Sequence, residues 1–411
     1  MDWTRRSLIA GAGAGAVSTA LATTVISDVD LRLPGGPSRR WLSSLFPQKG
    51  DMIVQRVRPP LLETPFEVFD RGVITPNDRF FVRWSGGDMP TSIDPETFRL
   101  MLRGAVKWPV QLTLAEVARA GETVEVTAVN QCAGNSRGFS QPRVSGAQWG
   151  HGAMGNAVWR GVRLKDVLDR AGVGGDAKRV RFVGLDKPLA PGAPQKIKSL
   201  PIDIARRDDV IIAWGMNGEM LPLLNGYPLR LVVPGWFATY WIKMLSDIEV
   251  LSTDEDDSYF MAKSYRMPAV PVQPGDKDFP TVPITTMGPR SFVTSHIEGQ
   301  MVAGGSTLRV SGIAFGGDCD VAKVDFCATT YGGPSGVARP VYDRWISAKL
   351  QPGDGSFGFR RWSAEVRMPW FGASLGSRCW NTNGVPQPDS QPWNPSGYAR
   401  NVVERMTLVA S

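Results

Sequence analysis

The pattern of apolar and polar positions divides the chain in two. From residue 27 to about 280, short apolar runs alternate with a few segments of helical period. Thr123 to Asn130 places Val124, Val126 and Ala128 on one face, which predicts a strand ending just before Cys132. Arg79 to Trp84 and Phe98 to Gly104 also read as strands, with Gly104 opening a turn. Val180–Val183, Val210–Ala213 and Leu229–Val233 are continuous apolar runs of buried-strand length. Thr113 with Glu116 has the form of a capping box at the start of a short helix. A second helix is expected over Val162–Ala171, with Leu164, Val167 and Leu168 on one face and Gly172 ending it. The sum is an α+β domain of mixed sheet and short helices.

The pattern changes after a proline-rich stretch from Pro268 to Pro289, which reads as a linker or domain crossing. Beyond it, Thr307–Ala314, Val321–Thr329, Phe359–Val366 and Val402–Leu408 are strands separated by turn residues, with little helical period. A β-rich segment over 281–411 predicts a β-sandwich. The expected organisation is residues 1–26 as an address, 27–280 as the α+β domain and 281–411 as the sandwich, with no internal repeat.

Composition narrows this further. At 411 residues and 42 % hydrophobic content, the chain is long enough for two cores. With 45 glycines and 32 prolines it favours loops and strands over a helix bundle. The net charge is +7 without a dense Lys/Arg block, so small anions are expected at its surface rather than nucleic acid. His151 and His296 stand alone in no HxxxH or HxH pattern, which argues against a histidine zinc site or a Ser-His-Asp triad. No CxxC or CxxCH occurs, so neither a zinc ribbon nor a c-type haem on this chain is expected. Cys319 and Cys327 either bridge or remain thiols; with Cys379 they sit in strand-like surroundings.

At the N-terminus, Thr4-Arg5-Arg6-Ser7-Leu8-Ile9 precedes a mildly apolar run to about Ile26. A twin-arginine pair in that position marks export of a folded protein to the bacterial periplasm. A membrane anchor is the alternative, and the Gly and Thr content of the run argues against it.

The chemistry concentrates in Asn130-Gln131-Cys132-Ala133-Gly134-Asn135-Ser136-Arg137. A thiolate is a soft metal ligand, and an arginine five residues on is a fixed charge suited to an oxyanion. This segment resembles the cysteine segment of the sulfite oxidase family of molybdenum enzymes, most closely its bacterial sulfite dehydrogenases. Ile74 to Arg83, Ala153 to Val162, Gly184-Leu185-Asp186, Met216-Asn217-Gly218-Glu219 and Gly226 to Gly235 are similar to further family motifs in the same order. The resemblance implies a molybdopterin-binding domain followed by an Ig-like dimerisation domain, hence a homodimer. It implies one molybdenum carried by one molybdopterin and by Cys132, oxidising sulfite to sulfate and passing electrons to a separate c-type cytochrome.

Residue by residue, the resemblance makes Cys132 the metal ligand, Arg137 the group that holds the substrate anion, Arg83 a catalytic cation whose partner is the dithiolene or an anion, and Tyr265 the active-site tyrosine. It makes Phe81, Val82, Arg83, Trp84, Ser85, Asp186, Asn225, Arg230, Trp241, Ile242 and Lys243 the cofactor-binding set. Arg230 and Lys243 would take the phosphate and Asp186 the pterin nitrogens. Two departures stand out. Ser85 replaces a histidine usual after the Val-Arg pair, and the arginine that animal members supply near the C-terminus is missing around Trp393-Asn394-Pro395-Ser396-Gly397, with Arg400 close enough to substitute. These motivate an alternative, reduction of S-oxides such as methionine sulfoxide. A non-catalytic dimeric binding protein is the third reading.

Overall fold

The computed structural model describes residues 27–84, 87–329 and 344–411, so Ser85 and the twin-arginine segment lie outside the described residues. The expected fold class holds: an α+β domain of mixed sheets and short helices is followed by a β-rich one.

Three five-stranded sheets and short helices build the first domain. An antiparallel meander runs from Asp28–Asp30 through Arg39–Ser43, Met52–Arg56 and Leu61–Glu63 to Val82–Arg83. The second sheet has the order Ile197–Pro201, Arg179–Gly184, Leu245–Leu251, Leu100–Gly104, Val110–Leu112. Its Leu245–Leu251 and Leu100–Gly104 strands are parallel, which makes the sheet mixed. The third pairs Thr123–Gln131 with Met154–Arg163 along its full length, then Ile211–Met216, which is flanked by Glu219–Met220 and Arg230–Val232.

The local signals explain several boundaries. Thr113 Oγ1 accepts from the Glu116 N–H while the Glu116 carboxylate accepts from the Thr113 N–H, so the box caps Leu114–Ala118. The second helix is shorter than expected, Leu164–Ala171, because Val162 belongs to the Met154–Arg163 strand. Gly172 ends it at φ +65, a left-handed position that glycine occupies without steric cost.

In the second domain a four-stranded sheet, Arg290–Val293, Thr307–Phe315, Arg360–Arg367 and Lys349–Leu350, packs on a five-stranded one. The latter is ordered Gln300–Val302, Arg405–Ala410, Ala373–Asn381, Val321–Thr329, Ile346–Ser347. Val310, Val324, Phe326, Trp362, Leu375 and Cys379 form the core between them. Among the described residues no disulfide forms; Cys327 is buried on the opposite face of its strand from Val324 and Phe326 and accepts from Arg405 Nη1 at 3.4 Å. No helix among the described residues is long and apolar enough to cross a membrane.

A separate apolar cluster joins the domains. Phe69, Val129, Ala133, Met154 and Tyr265 meet Phe292, Ile313, Phe315 and Phe359. The proline-rich segment is more than a linker. Thr281–Pro283 pairs antiparallel with Arg266–Pro268, and Ile284 donates to the Tyr265 carbonyl at 3.0 Å while its side chain enters the shared cluster.

Candidate active site

Cys132 stands where the long strand Thr123–Gln131 stops, with its side chain only 6 % exposed. Its N–H still donates to the Ala153 carbonyl at 2.9 Å, so the partner strand holds it in place. The chain then turns. Asn135 N–H donates to the Cys132 carbonyl at 2.9 Å and Gly134 N–H donates to the Cys132 Sγ at 3.4 Å. A thiolate benefits from such a donor.

The sulfur faces a partly open cavity. Phe81, Arg83 and Trp84 come from the end of the meander, Asn130 and Ala133 from the cysteine turn, and Asp186 from the loop after Arg179–Gly184. Arg230, Trp241, Ile242 and Lys243 come from the strand Arg230–Val232 and the turn after it, and Tyr265 closes the far side. Five stretches of the chain, four of them distant in sequence from Cys132, therefore converge on one thiol.

The charges are lopsided. Arg83, Lys196, Arg230 and Lys243 line the cavity against the single carboxylate of Asp186. Burial pushes Lys243 well below the ordinary lysine value, with Arg230 and Lys49 lowering it further. Burial likewise pushes Lys196 well down, with Lys198 and Arg83 adding repulsion. Burial alone lowers Arg230 to about 9. Asp186 moves the other way, raised by burial although Lys196 opposes it.

Arg230 is 2 % exposed and sits over the rings of Trp159 and Trp241. Those two indoles meet edge to face at 5.5 Å, which contributes about 0.5–1.5 kcal/mol beyond burial. Its Nη1 donates to the Asn225 carbonyl at 2.8 Å and its Nη2 to Asn130 Oδ1 at 3.0 Å. Lys243 Nζ donates to the Leu224 carbonyl at 2.9 Å and lies over Trp84.

Among the described residues, several donors that line this cavity have no partner: Arg83 Nη1, Trp84 Nε1, Asn130 Nδ2 and Arg230 Nε. An unpaired buried donor costs about 1–3 kcal/mol, and four around one space are an unmet demand for acceptor atoms. A molybdenum–molybdopterin group, with thiolate sulfurs, a phosphate and pterin nitrogens, meets that demand: the residues fit it. Among the described residues no three His, Cys, Asp or Glu side chains cluster, so a metal beside Cys132 would take its other ligands from outside the protein.

Tyr265 is held in an unusual backbone state, φ +56, which costs on the order of 1–3 kcal/mol for a bulky residue and clusters at functional sites. Its ring stacks on Tyr398 at 5.5 Å, and Lys196 Nζ lies 4.2 Å from its centroid. Lys196 is fixed by donating to Thr239 Oγ1 at 2.7 Å.

Three expected residues sit outside the lining. Val82 is fully buried in the core of the meander. Asn225 is a bracket behind Arg230: its Oδ1 accepts from Lys49 Nζ at 2.7 Å and its Nδ2 donates to the Phe81 carbonyl at 3.4 Å. Arg137 is buried behind the cysteine turn, its Nε donating to the Ser396 carbonyl at 2.7 Å and its Nη1 to the Ala147 carbonyl at 3.3 Å. Arg400 is engaged bidentately by Glu404, both contacts at 2.9 Å.

Lys196, Thr239 and Tyr398 were not singled out from the sequence, and Asn130 was quoted in the cysteine motif without a role. Lys196 and Lys198 alternate at the start of the strand Ile197–Pro201, so both project to one side; that spacing beside a buried run was the available signal.

Comparison with known proteins agrees with this geometry. Residues 86–260 match the family model described as the oxidoreductase molybdopterin binding domain. Sulfite oxidase of Gallus gallus is 34 % identical over 291 residues, 68 % of this chain and 61 % of that protein. Mitochondrial sulfite oxidase of Mus musculus is 30 % identical over 367 residues, 85 % of this chain and 64 % of that protein. The chain thus spans less than two thirds of the length of either relative. The crystal structure of the sulfane dehydrogenase SoxCD from Paracoccus pantotrophus shares the fold, with a TM-score of 0.68 at 24 % identity, covering 85 % of this chain and 84 % of that one.

Proposed function

This chain belongs to the sulfite oxidase family of molybdopterin enzymes, and we propose that it oxidises sulfite to sulfate in the periplasm and passes the electrons to a separate c-type cytochrome. The observation that carries the reading is one buried thiol facing a cavity whose polar walls are mostly cations and unpaired donors, with Asp186 the carboxylate among them. Sulfite and water become sulfate, two protons and two electrons, so an acceptor outside the chain takes one electron at a time.

When bound, the molybdenum–molybdopterin group supplies two-electron oxygen-atom exchange with sulfur. Cys132 would hold the metal. Arg230 and Lys243 would take the phosphate, Asp186 the pterin N–H groups, and Trp84 and Asn130 its acceptors. Arg83 would hold the substrate oxyanion: burial opposes its charge, but Tyr265 and the Cys132 sulfur outweigh this and raise it above the ordinary arginine value. The Tyr265 hydroxyl would hold and pass a proton at the substrate oxygen. Phe81, Trp84 and Trp241 keep water from the buried side, which strengthens each of these contacts. Arg137 would act indirectly, by holding the cysteine turn against Ser396.

The Arg5-Arg6 motif supports folded export, and the β-rich tail supports a homodimer. The deciding experiment is a sulfite assay with ferricyanide or cytochrome c on molybdenum-loaded protein. Full metal content without turnover would sink the proposal. A second reading, reduction of an S-oxide such as methionine sulfoxide, draws on Arg400 being tied to Glu404 and not lining the cavity around Cys132. Methionine sulfoxide turnover with reduced viologen, in the absence of sulfite oxidation, would select it.

A further inference from the structure

The four cations that line the cavity around Cys132 divide by what holds them. Arg230 and Lys243 are fastened to one turn, Arg230 through the Asn225 carbonyl and Lys243 through the Leu224 carbonyl, and both lie over indole rings. Lys196 belongs elsewhere. It stands one residue before the strand Ile197–Pro201, and its Nζ donates to Thr239 Oγ1 at 2.7 Å. The same Nζ lies 4.2 Å from the Tyr265 ring centroid and 4.6 Å from that of Phe260. Thr239 and Tyr265 both line the cavity that Cys132 faces, so the ammonium sits in the wall between them.

An ammonium carries three N–H donors, and Thr239 is the one hydrogen-bond partner of Lys196 Nζ among the described residues. Its neighbour Lys198 is differently placed. Lys198 is 1 % exposed, lies outside the cavity lining, donates to the Phe260 carbonyl at 2.6 Å and lies 5.3 Å from the Tyr265 centroid. One lysine therefore backs the tyrosine from within the protein, while the other reaches the space in front. Burial, Lys198 and Arg83 disfavour the charge on Lys196, whereas Asp186 and the Cys132 sulfur favour it. The Cys132 sulfur favours the charge on Arg83 too. Arg83 and Lys196 thus share the surroundings of the thiol and repel one another across it, a strain that an anion between them would relieve. Arg137 and Arg400 do not line this space: the first donates to main-chain carbonyls and the second is engaged by Glu404.

We propose that Lys196 is a substrate-binding residue of this site: from its place between Thr239 and Tyr265, its ammonium and Arg83 together hold the oxygens of the sulfur oxyanion. This rests on the oxyanion reading given above. The division of labour follows from position. Arg230 and Lys243, on the Leu224–Asn225 turn, serve the phosphate of the cofactor. Lys196, against Tyr265 and near the thiol, is left for the small anion that reacts there. A lysine suits the task because it is a compact charge on a flexible stem, able to turn spare donors to an oxygen without a fixed fork geometry. The Thr239 hydroxyl keeps it at the wall while the site is empty.

The test is made on the molybdenum-loaded enzyme, where the phosphate end is filled. Sulfate dissociation constants are measured by calorimetry, and sulfite KM and kcat by turnover, for the parent, Lys196→Met and Lys196→Arg. Lys196→Met should weaken sulfate by about 10- to 100-fold and raise the KM for sulfite more than it lowers kcat. Lys196→Arg keeps the charge and should recover at least about half of that loss on a logarithmic scale. Where the Met variant fails to retain molybdenum, Lys196→Gln, which keeps a donor for Thr239, takes its place. An unchanged sulfate constant in the uncharged variant would overturn the proposal. So would a fall in kcat at constant sulfate affinity, because Lys196 would then only brace the Tyr265 ring. Sulfite turnover with an unchanged KM in Lys196→Met would remove this role and leave the reaction standing. Sulfate binding that depends on Lys196 in a protein without sulfite turnover would do the reverse.

Discussion

Two clusters of buried charge flank the cysteine turn, and they differ in balance. On one side, Arg83, Lys196, Arg230 and Lys243 surround a cavity with one carboxylate and several donors left without partners. On the other, Arg290 is fully buried, and its Nη2 donates to Glu404 at 3.1 Å and to Ser136 Oγ at 3.0 Å while its Nη1 donates to Gln131 Oε1 at 3.2 Å. Ser136 Oγ also meets His151 Nδ1 at 2.8 Å, and Glu404 closes the set by engaging Arg400. Burial would raise the Glu404 carboxyl, yet His151, Arg400 and Arg290 hold it below the usual carboxylate range. The second cluster is largely paired within the protein, with Arg290 Nε as its donor lacking a partner among the described residues. It ties the second domain to the residues on either side of Cys132 and serves as scaffold. The first is complete only with an anionic, acceptor-rich guest. Imbalance, more than burial, distinguishes a binding site from a strut.

The comparison can be broken in order of expected effect. Cys132→Ser removes the group both clusters serve, and turnover should fall on the order of 10³-fold or more, read alongside molybdenum content. Arg290→Met should destabilise the fold by about 1–3 kcal/mol in denaturant titrations, because Gln131, Ser136 and Glu404 lose a buried donor, although Glu404 keeps Arg400. If that variant is as stable as the parent, the second cluster is not a strut. Acid should find the same place. Burial lowers His151 from 6.5 to about 4, so it folds as the neutral form. Its contribution is fully present above pH 6.5 and is lost as pH falls toward about 4, because the unfolded chain then binds a proton that the folded one refuses. The loss is at most about 3 kcal/mol, and His151→Gln should flatten that limb of the stability profile. Lys243→Met should behave in the opposite sense to Arg290→Met. The cofactor-free protein should keep or gain stability, since a repelled cation has gone, while cofactor retention falls about 10- to 100-fold. A stability loss matching that of Arg290→Met would erase the distinction.

Much of the site was legible in the sequence because motifs carry their own local geometry. Alternation ending at Asn130 predicted that Cys132 leaves a strand, and it does, one residue later than the alternation suggested. The capping box at Thr113 and the stop at Gly172 were also readable, since both act within one turn of chain. The long strands Met154–Arg163 and Ala373–Asn381 were not. Buried on both faces for most of their length, they lack the alternation that marks a half-exposed strand. Arg79 to Trp84 reads as six strand residues, yet among the described residues only Val82–Arg83 pair, while Phe81 and Trp84 on either side line the cavity.

What the sequence determined by itself is the reactive group and its retinue: a thiol at a strand end, arginines and lysines in motif order, a β-rich tail after a proline-rich crossing. What only the tertiary structure decided is which charges face the same space. Arg137, five residues from Cys132, turned away to main-chain carbonyls, whereas Lys196 and Tyr398, 64 and 266 positions along the chain from it, arrived at or beside the cavity. The reason is that a side chain's direction is set by strand pairing and by competing hydrogen-bond partners, and neither is a local property of the chain.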